Sequence, residues 1–215
     1  MEYTIISLNV GKPAVYQLDG QNIETGFIKR PIDKPNYLTV TGFKDDGQAD
    51  LKNHGGKEKA LLMYPKEHYN FWNQRYQQQF PYPSFGENIT IDGLTEREVY
   101  IGEIFQLGQA EIQVSQPRQP CYKIARTHGI KDMPAVVTDT GYGGYYFRVL
   151  KEGWVAPADT LKKLQEVQSH VSAFDIFHCL FHDQQNKKRM QEYLQLSGLA
   201  SNVKARFQKR IDMLR

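Results

Sequence analysis

Cys121 closes the run Gln116-Pro117-Arg118-Gln119-Pro120-Cys121, where flanking prolines restrict the backbone and leave the thiol little freedom. A thiol held this way suits ligation of a soft metal or nucleophilic attack. Both uses need the thiolate, which Arg118, Lys123 or a bound metal would stabilise. An isolated cysteine also packs well as a small buried hydrophobe, and the residues alone leave both readings open. His54 precedes Gly55-Gly56, a pair that permits tight turns and close approach of a ligand. Its imidazole suits proton transfer, or a hydrogen bond to a neighbouring carbonyl in a turn. Asn88, at the end of Phe85-Gly86-Glu87-Asn88, offers both donor and acceptor to a heterocycle edge or a phosphate, or completes a turn; Glu87 beside it suits a structural pairing with a lysine. Lys12, Lys29 and Arg30 lie beside glycine or proline and together would form an anion site, while singly each reads as solvated surface. The glycines between 141 and 144 suit either a tight hairpin or a backbone cradle for an anion.

Other familiar chemistries lack their residues. The chain has no Gly-x-Gly-x-x-Gly turn, no phosphate loop ending in Gly-Lys-Ser/Thr, no His-Glu-x-x-His and no Cys-x-x-Cys. Cys179 lies between His178 and His182, but no fourth ligand stands at a motivated spacing. Lys187-Lys188-Arg189 reads as the wet face of a helix. With only Cys121 and Cys179, a disulfide framework is excluded and both thiols are expected to be free, in a soluble protein of a reducing cytosol. The opening Met1-Glu2-Tyr3-Thr4 lacks a basic segment followed by an apolar one, and no apolar run reaches membrane-spanning length. The formal charge of +3 is modest and its basic residues are dispersed, so a small anionic ligand is accommodated and a nucleic-acid track is not demanded.

The elements that must position these residues are mainly β. A chain of 215 residues can bury a core unaided, and 10 prolines, 17 glycines, 11 Phe, 13 Tyr and 2 Trp favour short strands and turns over a bundle. Strand-like runs cover Tyr3 to Val10, Tyr37 to Thr41, Ala60 to Tyr64, Glu98 to Tyr100, Phe105 to Leu107, Glu111 to Val114 and Asp159 to Leu164, a spacing that predicts a closed or strongly coiled sheet. One helix is predicted over Pro65 to Gln79, with Pro65 at its first position and Tyr69, Trp72 and Tyr76 on one face. From about Ser169 the period becomes helical. The expected division is a barrel domain over 1–168 and a helical domain over 169–215. Val171, Phe174, Phe177 and Phe181 share one face there, and Val203, Phe207, Ile211 and Leu214 another; Ser172 and Asp183 are candidate helix starts and Gly198 a stop.

The loops, taken in order, resemble the MOSC family and its YiiM-like branch. The resemblance rests on Asn53-His54-Gly55-Gly56 with Lys59-Ala60 and Tyr64, then Phe85-Gly86-Glu87-Asn88, Ile101-Gly102-Glu103, and Gln113 through Lys123. The segment from Gly141 to Arg148 and the helical tail extend it over nearly the whole chain. Where the family has Gly-Asp this chain has Gly102-Glu103, a departure that leaves a turn intact. The resemblance implies a closed β-barrel with a few helices and a small C-terminal α-helical domain. It also implies a molybdenum cofactor, with molybdenum held by a pterin dithiolene, oxo groups and one protein cysteine, here Cys121. The remaining site residues it implies are His54, Asn88, Arg118, Lys12, Lys29 and Arg30, as cofactor or phosphate contacts, with His54 also a proton donor.

The implied activity is reduction of N-hydroxylated compounds, such as hydroxylaminopurine-type bases, with electrons from a separate flavin-containing reductase. That partner agrees with the lack of a flavin or nicotinamide motif in the chain. Three other functions stay open: a non-catalytic cofactor carrier resting on the same residues, a nucleic-acid-binding barrel using Tyr and Phe stacking with Lys and Arg, and a Cys121/His54 thiol hydrolase. The helical tail could cover the barrel mouth, dock the reductase or form a homodimer contact.

Overall fold

The computed structural model of the chain describes residues 1–165 and 170–214, so the expected division at 168/169 lies outside the described residues. The strands are β1 (Glu2–Val10), β2 (Ala14–Leu18), β3 (Gln21–Thr25), β4 (Arg30–Pro31), β5 (Asn36–Thr39), β6 (Gly42–Phe43), β7 (Leu61–Pro65), β8 (Ile89–Ile91), β9 (Ile104–Leu107), β10 (Ala110–Pro117), β11 (Tyr145–Lys151), β12 (Gly153–Val155) and β13 (Thr160–Gln165). The helices are α1 (Leu51–His54), α2 (Glu67–Tyr76), α3 (Tyr122–His128), α4 (Met133–Thr140), α5 (Ala173–Phe181), α6 (Lys187–Leu194) and α7 (Ser201–Met213), with a 3-10 turn at Lys57–Lys59.

Seven strands run β13-β9-β10-β11-β7-β8-β1, and β1 returns to β13 through Tyr3 opposite Leu161, which closes the barrel. Only β7 and β8 are parallel neighbours within this ring. Closure gives every barrel strand a partner on each side and removes the exposed sheet edges that invite aggregation. Leu61, Met63, Ile89, Ile91, Phe105, Ile112, Val114 and Phe147 fill the interior and are fully buried. A second cluster, with Tyr64, Tyr69, Trp72, Phe85 and Met133, packs α2 and α4 on the outside of the barrel. None of the described helices is long and apolar enough to cross a membrane.

The C-terminal helices continue the barrel's packing. Ala173, Ile176, Leu180, Met190, Val203 and Phe207 belong to the same buried cluster as the barrel interior. The N–H of Ile101 donates to the Val171 carbonyl, and that of Ala200 to the Ser115 carbonyl. Ser172 caps α5 as its type predicts: its hydroxyl accepts the Asp175 N–H at 3.0 Å and Asp175 accepts the Ser172 N–H at 2.9 Å. The second start differs. Asn186 caps α6, and Asp183 instead accepts the Asn186 side-chain amide at 2.8 Å. Helix α6 ends at Leu194, ahead of Gly198, which lies where any Cβ would strike the Gly102 backbone. Leu214, expected on the apolar face, is exposed and lies just past the end of α7 at Met213.

Several other expectations change. Pro65 ends β7 opposite Ile91, so α2 starts at Glu67, and it stops at Gln77, whose φ of 51° is left-handed. Glu98 to Tyr100 is a turn with only a single bridge from Tyr100 to Ser172. The glycine segment is not a hairpin: Gly141 caps α4, and Gly144 turns the chain into β11 at φ +79°, where a Cβ would lie 2.5 Å from the Met63 carbonyl oxygen. Its anion is internal, since the Gly144 N–H donates to the buried Glu96 carboxylate at 2.6 Å. Removing the cap by Ser172→Ala should lower unfolding free energy by about 1 kcal/mol, measured by urea denaturation; an unchanged midpoint would mean that barrel contacts alone hold the start of α5.

Candidate active site

The site begins with two buried carboxylates that fix its loops. Glu87 is fully buried and accepts hydrogen bonds from the Tyr69 hydroxyl, the Thr90 hydroxyl at 3.0 Å and the Phe85 N–H at 2.9 Å. Burial pushes its carboxyl above the usual range, and these donors oppose the shift. Glu87 is thus held by hydroxyls and an amide, in place of the lysine pairing its type suggests. Asp46 does the same for the opposite wall. It accepts the Gly11 N–H at 2.8 Å, the Asn88 amide at 2.8 Å and the Lys29 ammonium, with both side chains of that ion pair buried. Burial lowers the Lys29 pKa, while Asp46 holds it up.

Asn88 sits on this frame. Its amide nitrogen reaches Asp46 and, at 3.3 Å, the Asn9 carbonyl, while its oxygen accepts the Leu62 N–H at 3.1 Å. Both its donors are therefore used to join β1, β7 and the loop carrying Asp46, a structural role where a cofactor contact is expected. Arg118 is buried and donates to the carbonyls of Phe85 at 2.8 Å and Gly143 at 3.5 Å, with its guanidinium 5.5 Å from the centre of the Phe27 ring.

Cys121 is the residue before α3, and His54 the last residue of α1. The barrel brings these separate loops together, with Cys121 Sγ 3.6 Å from His54 Nε2. Both line a cleft with Phe27, Lys29, Lys59, Asn88, Arg118 and Lys123. His54 feels its surroundings strongly: burial, then Arg118 and Lys123, lower its pKa to about 4, so at neutral pH it is an uncharged imidazole. Burial also lowers Lys59, against the pull of Asp50.

Of the residues singled out in the sequence, Cys121, His54, Lys29, Asn88 and Arg118 line one cleft. Lys12 and Arg30 do not; both are exposed, and Arg30 lies on β4, paired with Val10 at the edge of the barrel. Adjacency to glycine or proline could not reveal which way these side chains face. Lys59 and Lys123 take their place in the cleft. Both stand inside the motifs that carry the family resemblance, which was the available signal. Phe27 and Asp46 gave none, because their roles arise only from contacts across the fold.

The donor set fits a molybdenum cofactor better than a bare metal ion. Among the described residues no group of three or more His, Cys, Asp or Glu could hold a metal. A soft metal here would take Cys121 from the protein and bring its other ligands with it. Lys59, Arg118 and Lys123 provide positive charge for a phosphate, and Phe27 an aromatic face for a pterin.

Two family models match the chain, the MOSC domain over residues 50–162 and the YiiM-like, 3-alpha helix domain over residues 171–212. An uncharacterized protein of Bacillus subtilis, YflK, is 44% identical over 212 residues, which are 99% of this chain and 96% of that protein. The crystal structure of YiiM from Geobacillus stearothermophilus has a TM-score of 0.83 at 35% identity, covering 97% of this chain and 99% of that one. A protein of Gibberella moniliformis named Reductase is 31% identical over 151 residues, 68% of this chain but 27% of that longer protein.

Asp46→Ala would leave Lys29 buried without its counter-charge and should cost about 3–5 kcal/mol of unfolding free energy in denaturant titration; a loss below about 1 kcal/mol would show that Lys29 moves to solvent. For His54, the folded value of about 4 lies below the ordinary 6.5, so the unfolded chain binds the proton first. Its contribution to stability is present above pH 6.5 and lost as pH falls toward 4. In cofactor-free protein, His54→Gln should therefore flatten the stability profile over that window relative to wild type, and parallel profiles would contradict the assignment.

Proposed function

The chain belongs to the MOSC family and carries the YiiM-like three-helix domain, and from that premise we propose that it is a molybdenum cofactor-dependent oxidoreductase reducing N-hydroxylated compounds. The observation that carries this reading is the Cys121–His54 pair, 3.6 Å apart, in the wall of a cleft lined by lysines and an arginine. Cys121 would be the protein's ligand to the metal, and Lys59, Arg118 and Lys123 would bind the phosphate. When bound, the cofactor supplies two-electron reduction that side chains cannot provide.

The overall change converts R–NHOH, two electrons and two protons to R–NH2 and water. Electrons would come from a separate flavin-containing reductase, and the fungal relative named Reductase supports redox chemistry. His54 is placed to hold one of the protons. Burial and then repulsion from Arg118 and Lys123 hold its pKa down. An anion bound to those groups offsets the repulsion and raises His54 toward protonation, so proton availability follows cofactor binding. The same low pKa disfavours the thiolate–imidazolium pair that a cysteine hydrolase needs.

In a host that makes molybdopterin, wild type should carry close to one molybdenum per chain, and Cys121→Ala should lose both metal and N-reductive activity. His54→Ala should keep the metal while turnover falls on the order of 10²-fold, the usual scale for a general acid–base group. Metal retained without turnover in wild type would identify a carrier, and no metal or pterin in wild type would overturn the proposal.

A further inference from the structure

Residues 14–25 form a hairpin outside both hydrophobic cores. Strands β2 and β3 pair only with each other, from Ala14 opposite Thr25 to Leu18 opposite Gln21, and make a two-stranded sheet apart from the barrel. No residue from 14 to 24 enters either buried cluster, and Val15 is 65% exposed. A two-stranded hairpin without further packing is at best marginally stable in water. Its own turn is well made, since Asp19 and Gly20 take φ of 50° and 72°, the left-handed pair that a two-residue hairpin turn requires and that Asp-Gly adopts readily.

The two ends of this hairpin meet opposite walls of the cleft. At its base, Thr25, Gly26 and Phe27 line the cleft. Backbone packs tightly there: a Cβ on Gly26 would lie 2.1 Å from the Gly47 carbonyl oxygen, and the Gly47 N–H donates to the Gly11 carbonyl at 3.2 Å. At its tip, the Asp19 carboxylate accepts from the Arg126 guanidinium at 2.6 Å. Arg126 stands on α3, the helix that starts beside Cys121 and carries Lys123 of the cleft wall one turn earlier. Among the described residues, this is the one side-chain hydrogen bond or ion pair from residues 14–24 to the rest of the chain. The hairpin therefore reaches from the Phe27 wall to the Cys121 wall, held at its base by backbone and at its tip by a half-exposed ion pair.

We propose that the β2–β3 hairpin is a lid on the cleft, with its pivot at Gly11 and Gly26 and its latch at Asp19–Arg126. An exposed ion pair is a weak contact, and segments that open are drawn from the weakly held end of a fold. With the latch made, the hairpin restricts the approach to Cys121. With it broken, the tip swings away while the barrel stays intact. The lid acts on any occupant of the cleft, so it stands whether or not that occupant is the molybdenum cofactor.

Cys121 reports the lid directly in full-length protein made without molybdopterin. The readout is its alkylation rate by bulky N-(1-pyrenyl)maleimide divided by that for small iodoacetamide, a ratio that cancels changes in thiolate reactivity. Cys179 does not compete, because it is fully buried and burial pushes its thiol up to about 11. Asp19→Asn keeps a residue suited to the turn and removes the charge. It and Arg126→Gln should each raise the ratio about two- to fivefold, the worth of an exposed ion pair, and the double variant should go no higher than either alone. Salt at about 1 M should raise the wild-type ratio and leave Asp19→Asn unchanged. Replacing residues 14–24 by two glycines should raise it further, with an unchanged urea midpoint. An unchanged ratio in both point variants, or effects that add in the double variant, would overturn the latch whether or not the shortened chain folds; a folded shortened chain with the wild-type ratio would overturn the lid.

Discussion

The cleft depends on the Asp46 carboxylate side chain being buried among donors that converge on it. One carboxylate there collects a backbone N–H from Gly11, the amide of Asn88 and the ammonium of Lys29. Those groups come from the end of β1, the start of β8 and the segment before β4. A charge buried without such partners would cost several kcal/mol, so the three segments are drawn together and stay together. Glu87 acts likewise on the other side, tying the turn before β8 to α2 through Tyr69.

On this frame the site can be electrostatically extreme without collapsing. Lys29, Arg118 and Lys123 are each buried within one cleft wall, and Lys59 is half-buried beside them. Lys29 is neutralised by Asp46 and Lys59 is drawn to Asp50, so Arg118 and Lys123 supply the positive charge that favours an anion there. The neutral His54 is a direct consequence of that field and of its own burial. Binding of an anion and the protonation of His54 are thus linked through the same cations, a coupling that isolated residues would lack.

The helical unit joins this design through α7. Its N-terminal turn is bonded to Ser115 and Glu58, which flank the loops of Cys121 and His54 respectively. Within α7, Asn202 donates to Gln116 of β10 at 3.0 Å, which ties the helical unit to the strand that leads to Cys121. Its apolar faces merge with the barrel core, so removing it would expose the surface that Phe207 and Met190 cover.

Sequence alone determined the features whose cause lies within a few residues. Alternation and turn residues marked most of the barrel strands, Ser172 marked the start of α5, and the proline-bounded loop marked Cys121. The hairpin of β2 and β3 and the helices α3 and α4 went unread, since their segments are short and lack a strong period. Tertiary structure decided which polar residues serve the fold and which face the cleft. Asn88 lines the cleft with its amide bonded internally, whereas the exposed Lys12 and Arg30 stand outside it. The cations of the cleft come from positions 29, 59, 118 and 123 and meet only when the barrel closes. Local chemistry names what a side chain can do, but burial and the field of distant charges set whether it does so.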